Sequence, residues 1–126
     1  MTLLIQCFVV GLGGFVGAIA RYLIGIVCGR AFGTTFPTGT FIINITGSFI
    51  LGWFLALIGN RPIVSDHVRL AIAVGFVGAY TTFSTFMYES NSLMRDGADV
   101  KAGLNLVGSV VLGLIAVRAG MWLGAR

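Results

Sequence analysis

Hydroxyl groups, aromatic rings and glycines replace the usual aliphatic side chains between positions 75 and 86. This stretch reads GFVGAYTTFSTF and contains no charged side chain. Phe83 and Phe86 are three residues apart, so they would share one face of a helix, with hydroxyl donors interleaved between the rings. Aromatic pairs at this spacing usually pack in a core. The neighbouring hydroxyl groups favour a second interpretation, in which the rings and donors together line a site.

The same stretch is a poor helix former. Thr, Tyr and Phe have low helix propensity, and Gly75 and Gly78 loosen a helix further. In lipid, backbone groups that leave their helical hydrogen bonds must be covered by protein or line a cavity. We therefore predict a loosened helix that is buried in an assembly.

Polar or small residues also recur every four positions in two other apolar segments. One stripe consists of Thr40, Asn44 and Ser48, and the other of Asn105, Ser109 and Gly113. Two interpretations of Asn44 remain open, because an amide at mid-membrane depth either bonds a neighbouring helix or binds a ligand. Uncharged stripes on several helices are typical of a path for a small hydrated species, and no P-loop is present to supply ATP energy. We expect a transport protein without catalytic residues, not an enzyme.

Two ionisable side chains inside the apolar segments are candidates for a functional role. Arg21 lies late in the first segment, where it either extends back to the membrane surface or faces an aqueous vestibule for an anion. Glu89 is the only carboxylate in any apolar segment.

The composition is that of a membrane protein. Of the 126 residues, 57% are hydrophobic and only 10% are charged, whereas a soluble domain carries about a quarter charged residues. A helix needs about 20 apolar residues to cross a bilayer. Four segments meet this length, at residues 3–28, 39–58, 70–94 and 102–123. We predict an all-α integral membrane protein in which residues 1–126 form a single four-helix domain.

Small residues recur at four-residue spacing in the first and fourth segments. Gly13 and Gly17 form one pair, and Ala116, Gly120 and Gly124 form a row. Such rows allow helices to approach backbone to backbone. We predict that they are packing surfaces.

The basic residues are balanced across the membrane. Orientation normally follows an excess of Lys and Arg in the loops on one side. With four spans, each side carries three basic loop or terminal residues: Arg61, Arg69 and Arg126 on one, and Arg30, Arg95 and Lys101 on the other. Arg21 and Arg118, one near each face, keep the count level. We therefore predict that the chain inserts in both orientations and pairs with an inverted copy of itself.

Several short motifs resemble those of the Fluc family of fluoride channels, also called CrcB. They are GAIARY at residues 17–22, GT at 39–40, NITG at 44–47, GFVG at 75–78 and TTFSTF at 81–86. The resemblance covers the whole chain in length, number of spans, charge balance and motif order. It implies a channel for passive, fluoride-selective export across the bacterial cytoplasmic membrane, which protects the cell against fluoride.

The resemblance also implies an assembly and an ion site. Family members form dual-topology antiparallel homodimers with two fluoride pores and a central structural sodium ion. The third span is expected to be broken near its middle. At that break, the backbone carbonyls of Gly78 and Thr81 would bind the sodium at the dimer axis.

Further residues receive roles from the resemblance alone. The implied fluoride pathway comprises the rings of Phe83 and Phe86, the Asn44 amide, and the hydroxyls of Ser84, Thr85 and Ser109, while Arg21 and Glu89 stand at the vestibules. Fluoride is small and tightly hydrated, so convergent uncharged donors and electropositive ring edges suit it better than one strong charge.

Two positions depart from the family pattern. The family often has Gly where this chain has Ala79, which adds only a methyl group. It often has Thr where this chain has Gly113, so a pore-lining hydroxyl is missing. A competing interpretation is a small dual-topology, proton-coupled multidrug or cation exporter, but such carriers depend on an acid deep in the first span, and this span has none. A purely structural membrane subunit would not explain the aligned polar stripes.

Overall fold

A computed structural model describes residues 2–59 and 64–126, which are helical apart from short connections. The helices are α1 (Leu3–Phe32), α2 (Thr38–Gly59), α3 (residues 66–80), α4 (Phe83–Arg95) and α5 (Asp99–Gly124). Together α3 and α4 form the third span, so the described chain contains four helical segments long and apolar enough to cross a membrane. The predicted all-α membrane architecture is confirmed.

The helices extend beyond the predicted apolar segments. α1 continues to Phe32, and α5 begins at Asp99. Hydropathy marks the part of a helix that lies in the bilayer core, whereas polar residues at the membrane surface can remain helical. Arg61, which contributed to the charge balance, lies outside the described residues.

The third span is broken at two extended residues. Thr81 has φ −80° and ψ 159°, and Thr82 has φ −150° and ψ 121°. The predicted loosening of this span and the expected break near its middle are both confirmed. The structure also contains a feature that was not predicted. The segment Leu70–Val77 within α3 is a π-helix.

The first seam of the fold joins α1 to α3 through backbone atoms. A Cβ added to Gly13 would overlap the carbonyl oxygen of Ala71, and one added to Gly17 would overlap that of Phe76. Gly75 approaches the carbonyl oxygen of Val10 in the same way. The glycine pair of the first span is therefore a packing surface, as predicted.

The second seam joins α2 to α5. Gly120 faces the Phe49 carbonyl, Gly124 faces the Trp53 carbonyl, and Gly52 faces the Val117 carbonyl, in each case without room for a Cβ. The predicted row in the fourth span is confirmed at Gly120 and Gly124. The seam also turns the two polar stripes towards each other, because a Cβ at Gly113 would lie 3.7 Å from Ser48 Oγ.

The α1–α3 seam yields a stability prediction. Gly17→Ala places a methyl group on the Phe76 carbonyl, so the helices must separate, and such overpacking typically costs about 1–3 kcal/mol. Gly11→Ala is the matched control on the same helix, because a Cβ there meets nothing within 4 Å. The free energy of unfolding in detergent, measured with a denaturant, should fall for Gly17→Ala only. Equal values for both variants would contradict the seam.

Candidate functional site

The site is built around the contact between Asn44 of α2 and the break in the third span. The Asn44 Nδ2 donates to the Thr82 carbonyl oxygen at 3.0 Å, and the Thr82 N–H donates to Asn44 Oδ1 at 2.8 Å. One side chain thus satisfies both polar groups of a residue that has left helical geometry. Of the two interpretations of Asn44, the structure shows the bond to a neighbouring helix. One hydrogen on Nδ2 remains beyond this pair.

Thr82 also starts the helix that follows. Its hydroxyl oxygen accepts from the Thr85 N–H at 3.3 Å and lies 3.1 Å from the Thr85 hydroxyl. A threonine N-cap of this kind satisfies one of the free N–H groups in the first turn. α4 therefore begins at Phe83, and the aromatic pair lies on its first turn.

The backbone carbonyls expected to bind sodium are both deprived of their usual partners. In a regular helix Gly78 O would accept from Thr82 N–H, but that group donates to Asn44. Thr81 O would accept from Thr85 N–H, which instead donates to the Thr82 hydroxyl. Both carbonyl oxygens are thus left for another partner, and hard oxygen atoms of this kind suit an alkali cation.

A small cleft gathers part of the expected fluoride pathway. It has a volume of about 250 Å³, and its lining includes Asn44, Thr81, Phe83 and Phe86. The two rings meet edge to face, with centroids 6.2 Å apart and planes at 67°. Phe86 is 7% exposed, whereas Phe83 is 74% exposed on the single chain. The cleft therefore combines an amide and ring edges with no charged group in its lining.

A larger cleft of about 740 Å³ opens between α1, the start of α2 and α4. Arg21, Thr40, Thr85 and Glu89 are among its lining residues. Glu89 Oε1 accepts from the Thr40 hydroxyl at 3.0 Å, and Glu89 Oε2 is buried without a hydrogen-bond partner among the described residues. The structure thus brings the two expected vestibule residues to one cavity.

The other expected hydroxyl groups are not brought to either cleft. Ser84 is exposed on the single chain. Ser109 Oγ is buried, and it has no hydrogen-bond partner within the described part of the chain. Ser84 follows Phe83 directly in the chain, but like Ser109 it lines neither cleft.

Besides the bonds of Asn44 to Thr82 and of Thr40 to Glu89, sequence reasoning missed two further polar contacts between helices. The Thr46 and Tyr80 hydroxyls lie 2.8 Å apart, and Asn105 Nδ2 donates to Ser90 Oγ at 2.9 Å. Asn105 was recognised as part of a stripe, but its partner was not. Ser90 follows Phe86 by one helical turn, and this spacing was the only signal that could have singled it out.

Comparison with known proteins gives a consistent result. Residues 8–121 match the family described as CrcB-like protein, Camphor Resistance (CrcB). A protein of Chloroflexus aurantiacus named fluoride-specific ion channel FluC is 49% identical over 115 residues, which cover 91% of each chain. A protein of the same name from Trichormus variabilis is 46% identical, and the match covers 91% of this chain and 85% of the relative. Another from Vibrio parahaemolyticus is 43% identical, and the match covers 91% of this chain and 87% of the relative.

The fold and the clefts define a small integral membrane protein with four spans. The third span is broken, and an asparagine of the second span bonds the backbone of the break. The family match covers most of the chain, and the relatives match over most of their own lengths. The chain belongs to the CrcB family, in agreement with the resemblance of its motifs.

The Asn44 contact yields a second stability prediction. Asn44→Leu leaves the Thr82 N–H and carbonyl without their partners, and each buried polar group left unpaired costs about 1–3 kcal/mol. We expect the free energy of unfolding to fall by about 2 kcal/mol or more. Ser48→Ala, one turn later on α2, is the control, because the Ser48 hydroxyl donates only to a carbonyl of its own helix. It should change the same quantity by about 0.5 kcal/mol or less.

Proposed function

We propose that this protein is a fluoride-selective channel that mediates passive export of fluoride across the bacterial cytoplasmic membrane and protects the cell against fluoride. The observation that carries the proposal is the small cleft, where an asparagine amide of one membrane span meets two phenylalanine rings of another and no charged group lies in the lining. Relatives named fluoride-specific ion channels, which match over about nine-tenths of this chain, support it.

The chemistry of the cleft suits fluoride. Stripping water from a small anion requires several donors at once, and a fixed positive charge would trap the ion instead of passing it. The second Nδ2 hydrogen of Asn44 and the positive edges of the Phe83 and Phe86 rings are such donors. Thr85, Ser84 and Ser109 supply hydroxyl groups along the rest of the path. Arg21 and Glu89 act at the vestibules, where hydrated ions enter and leave.

The functional unit in this proposal is a homodimer of inverted copies. Ser84 and Thr85 are exposed on the single chain although they lie within a membrane span, and the Phe83 ring beside them is also exposed. Polar groups at this depth are costly in lipid unless protein covers them. A second copy provides this cover, and the balance of basic residues favours an inverted one.

A sodium ion completes the proposed assembly. The carbonyl oxygens of Gly78 and Thr81 fit it, because the break diverts their helical donors to other acceptors. Carbonyls freed at a helix break are a known source of sodium ligands in membranes. When bound at the dimer axis, the ion supplies a fixed positive charge that holds the carbonyls of both copies together.

Fluoride efflux from liposomes that contain the purified protein tests the proposal. We expect downhill fluoride efflux without a proton gradient. Uptake that requires a pH gradient and is lost in Glu89→Gln would favour the proton-coupled exporter instead. Intact dimers with no flux of either kind would leave only the structural-subunit interpretation.

The rings are tested by Phe83→Leu and Phe86→Leu. Leucine keeps an apolar side chain but has no electropositive ring edge, so fluoride efflux should collapse while the dimer still purifies. Phe54→Leu is the matched control, because Phe54 is as buried as Phe86, at 6% exposure against 7%, and lines neither cleft. It should cost about 1.5 kcal/mol of stability or less and leave efflux unchanged. Parental efflux in both cleft variants would show that the rings are only packing residues.

The inverted dimer predicts the fate of a C-terminal reporter. Because each orientation is equally represented, a topology reporter fused after Arg126 should be active on both sides of the membrane. A variant with three additional lysines in the loop between α4 and α5 biases the orientation and serves as the control. A reporter of the unmodified chain that is active on one side only would contradict the inverted pair.

A further inference from the structure

The two largest fully buried side chains of the described structure are both polar. Asn105 is 0% exposed and Ser90 is 1% exposed, although both lie in apolar membrane spans. They contact each other across the interface between α5 and α4, with Asn105 Nδ2 donating to Ser90 Oγ at 2.9 Å. A polar pair in this position needs an explanation, because aliphatic side chains of similar size would fill the same space without desolvation cost.

The hydrogen bonds run in one direction towards Phe86. Ser90 Oγ donates to the Phe86 carbonyl oxygen at 2.7 Å. A carbonyl can only accept, so the single hydroxyl hydrogen of Ser90 is committed to it and the Ser90 oxygen must accept from Asn105. This direction fixes the orientation of the amide, with Nδ2 towards Ser90. Asn105 Oδ1 then has no hydrogen-bond partner among the described residues.

α4 is therefore attached at two places on either side of Phe86. Thr82, four residues before Phe86, is bonded to Asn44 of α2. Ser90, four residues after Phe86, is bonded to Asn105 of α5. Phe86 and Ser90 are four apart within α4 and lie on one face of it, whereas Thr82 is the extended N-cap of α4 and is attached through its backbone N–H and carbonyl. Each attachment goes to a different helix, and together they restrict rotation of α4 about its axis.

We propose that Asn105 is a positioning residue for the fluoride pathway, which acts through Ser90 and the Phe86 carbonyl to hold the Phe86 ring at the angle required in the small cleft. The inference rests on the proposed function. The proposal explains why this buried pair is polar. A hydrogen bond is directional and fixes the rotation of α4 about its axis, whereas contacts between aliphatic side chains tolerate several rotations. Asn105 itself lines neither cleft.

The test replaces Asn105 with leucine and records two quantities. The first is fluoride efflux from liposomes, which we expect to fall about tenfold or more, since a change of about 1.4 kcal/mol in a barrier is a factor of ten. The second is the ¹⁹F NMR signal of 4-fluorophenylalanine introduced at position 86, which should shift or broaden when the ring loses its fixed orientation. Phe54→Leu is the control, because it also alters a buried side chain but Phe54 lines neither cleft. Both quantities should stay at parental values in that variant.

The outcomes separate the possible roles. A loss of efflux with an unchanged ¹⁹F signal would place Asn105 in the pathway directly and overturn the positioning role, as would parental efflux in a folded dimer. If Asn105→Leu does not purify as a dimer, Ser90→Ala interrupts the same chain of bonds with a smaller change, and the same two measurements decide. If the parent protein conducts no fluoride, the proposed function fails. The ¹⁹F signal then still reports whether Asn105 holds the ring.

Discussion

The structure depends on one constraint: a backbone break inside a membrane span must have its polar groups satisfied by protein. Asn44 meets this constraint by bonding both the N–H and the carbonyl of Thr82. The pair replaces the two helical hydrogen bonds that the extended residue gives up. Because Thr82 is held in this way, α3 can end at Tyr80 and α4 can begin at Phe83. The positions of the two rings and of the free carbonyls follow from this contact.

The two glycine seams make that contact possible. Asn44 can reach Thr82 only if α2 lies at a fixed distance from the third span. The backbone contacts at the two seams fix the distance between α1 and α3 and the distance between α2 and α5. α4 is held differently. Its contacts with the other helices include the hydrogen bonds at Thr82, Glu89 and Ser90, so the helix that bears the rings is oriented by directional bonds.

Much of this arrangement could be predicted from the sequence. Four apolar segments, the glycine rows and the loosened third span follow from length, spacing and residue type. The membership in the CrcB family also followed from the motifs. Periodicity identified the faces of the helices, so Asn44 and Asn105 were both recognised as members of polar stripes.

The partners of those stripes could not be predicted, for a physical reason. Periodicity tells which residues share a face, but not which residue of another helix lies opposite, because that depends on the rise and rotation of both helices. The bonds from Asn44 to Thr82 and from Asn105 to Ser90 are of this kind. The π-helical winding of Leu70–Val77 has no distinct sequence signal either, since its residues are ordinary apolar ones.

The backbone seams also have a consequence at the level of the gene. Every single-base change in a glycine codon that alters the amino acid replaces hydrogen with at least a Cβ. At Gly13, Gly17, Gly120 and Gly124 that atom would fall on a carbonyl oxygen of the facing helix. Missense changes at these codons should therefore be among the least tolerated in the chain, although none of the four glycines lines either cleft.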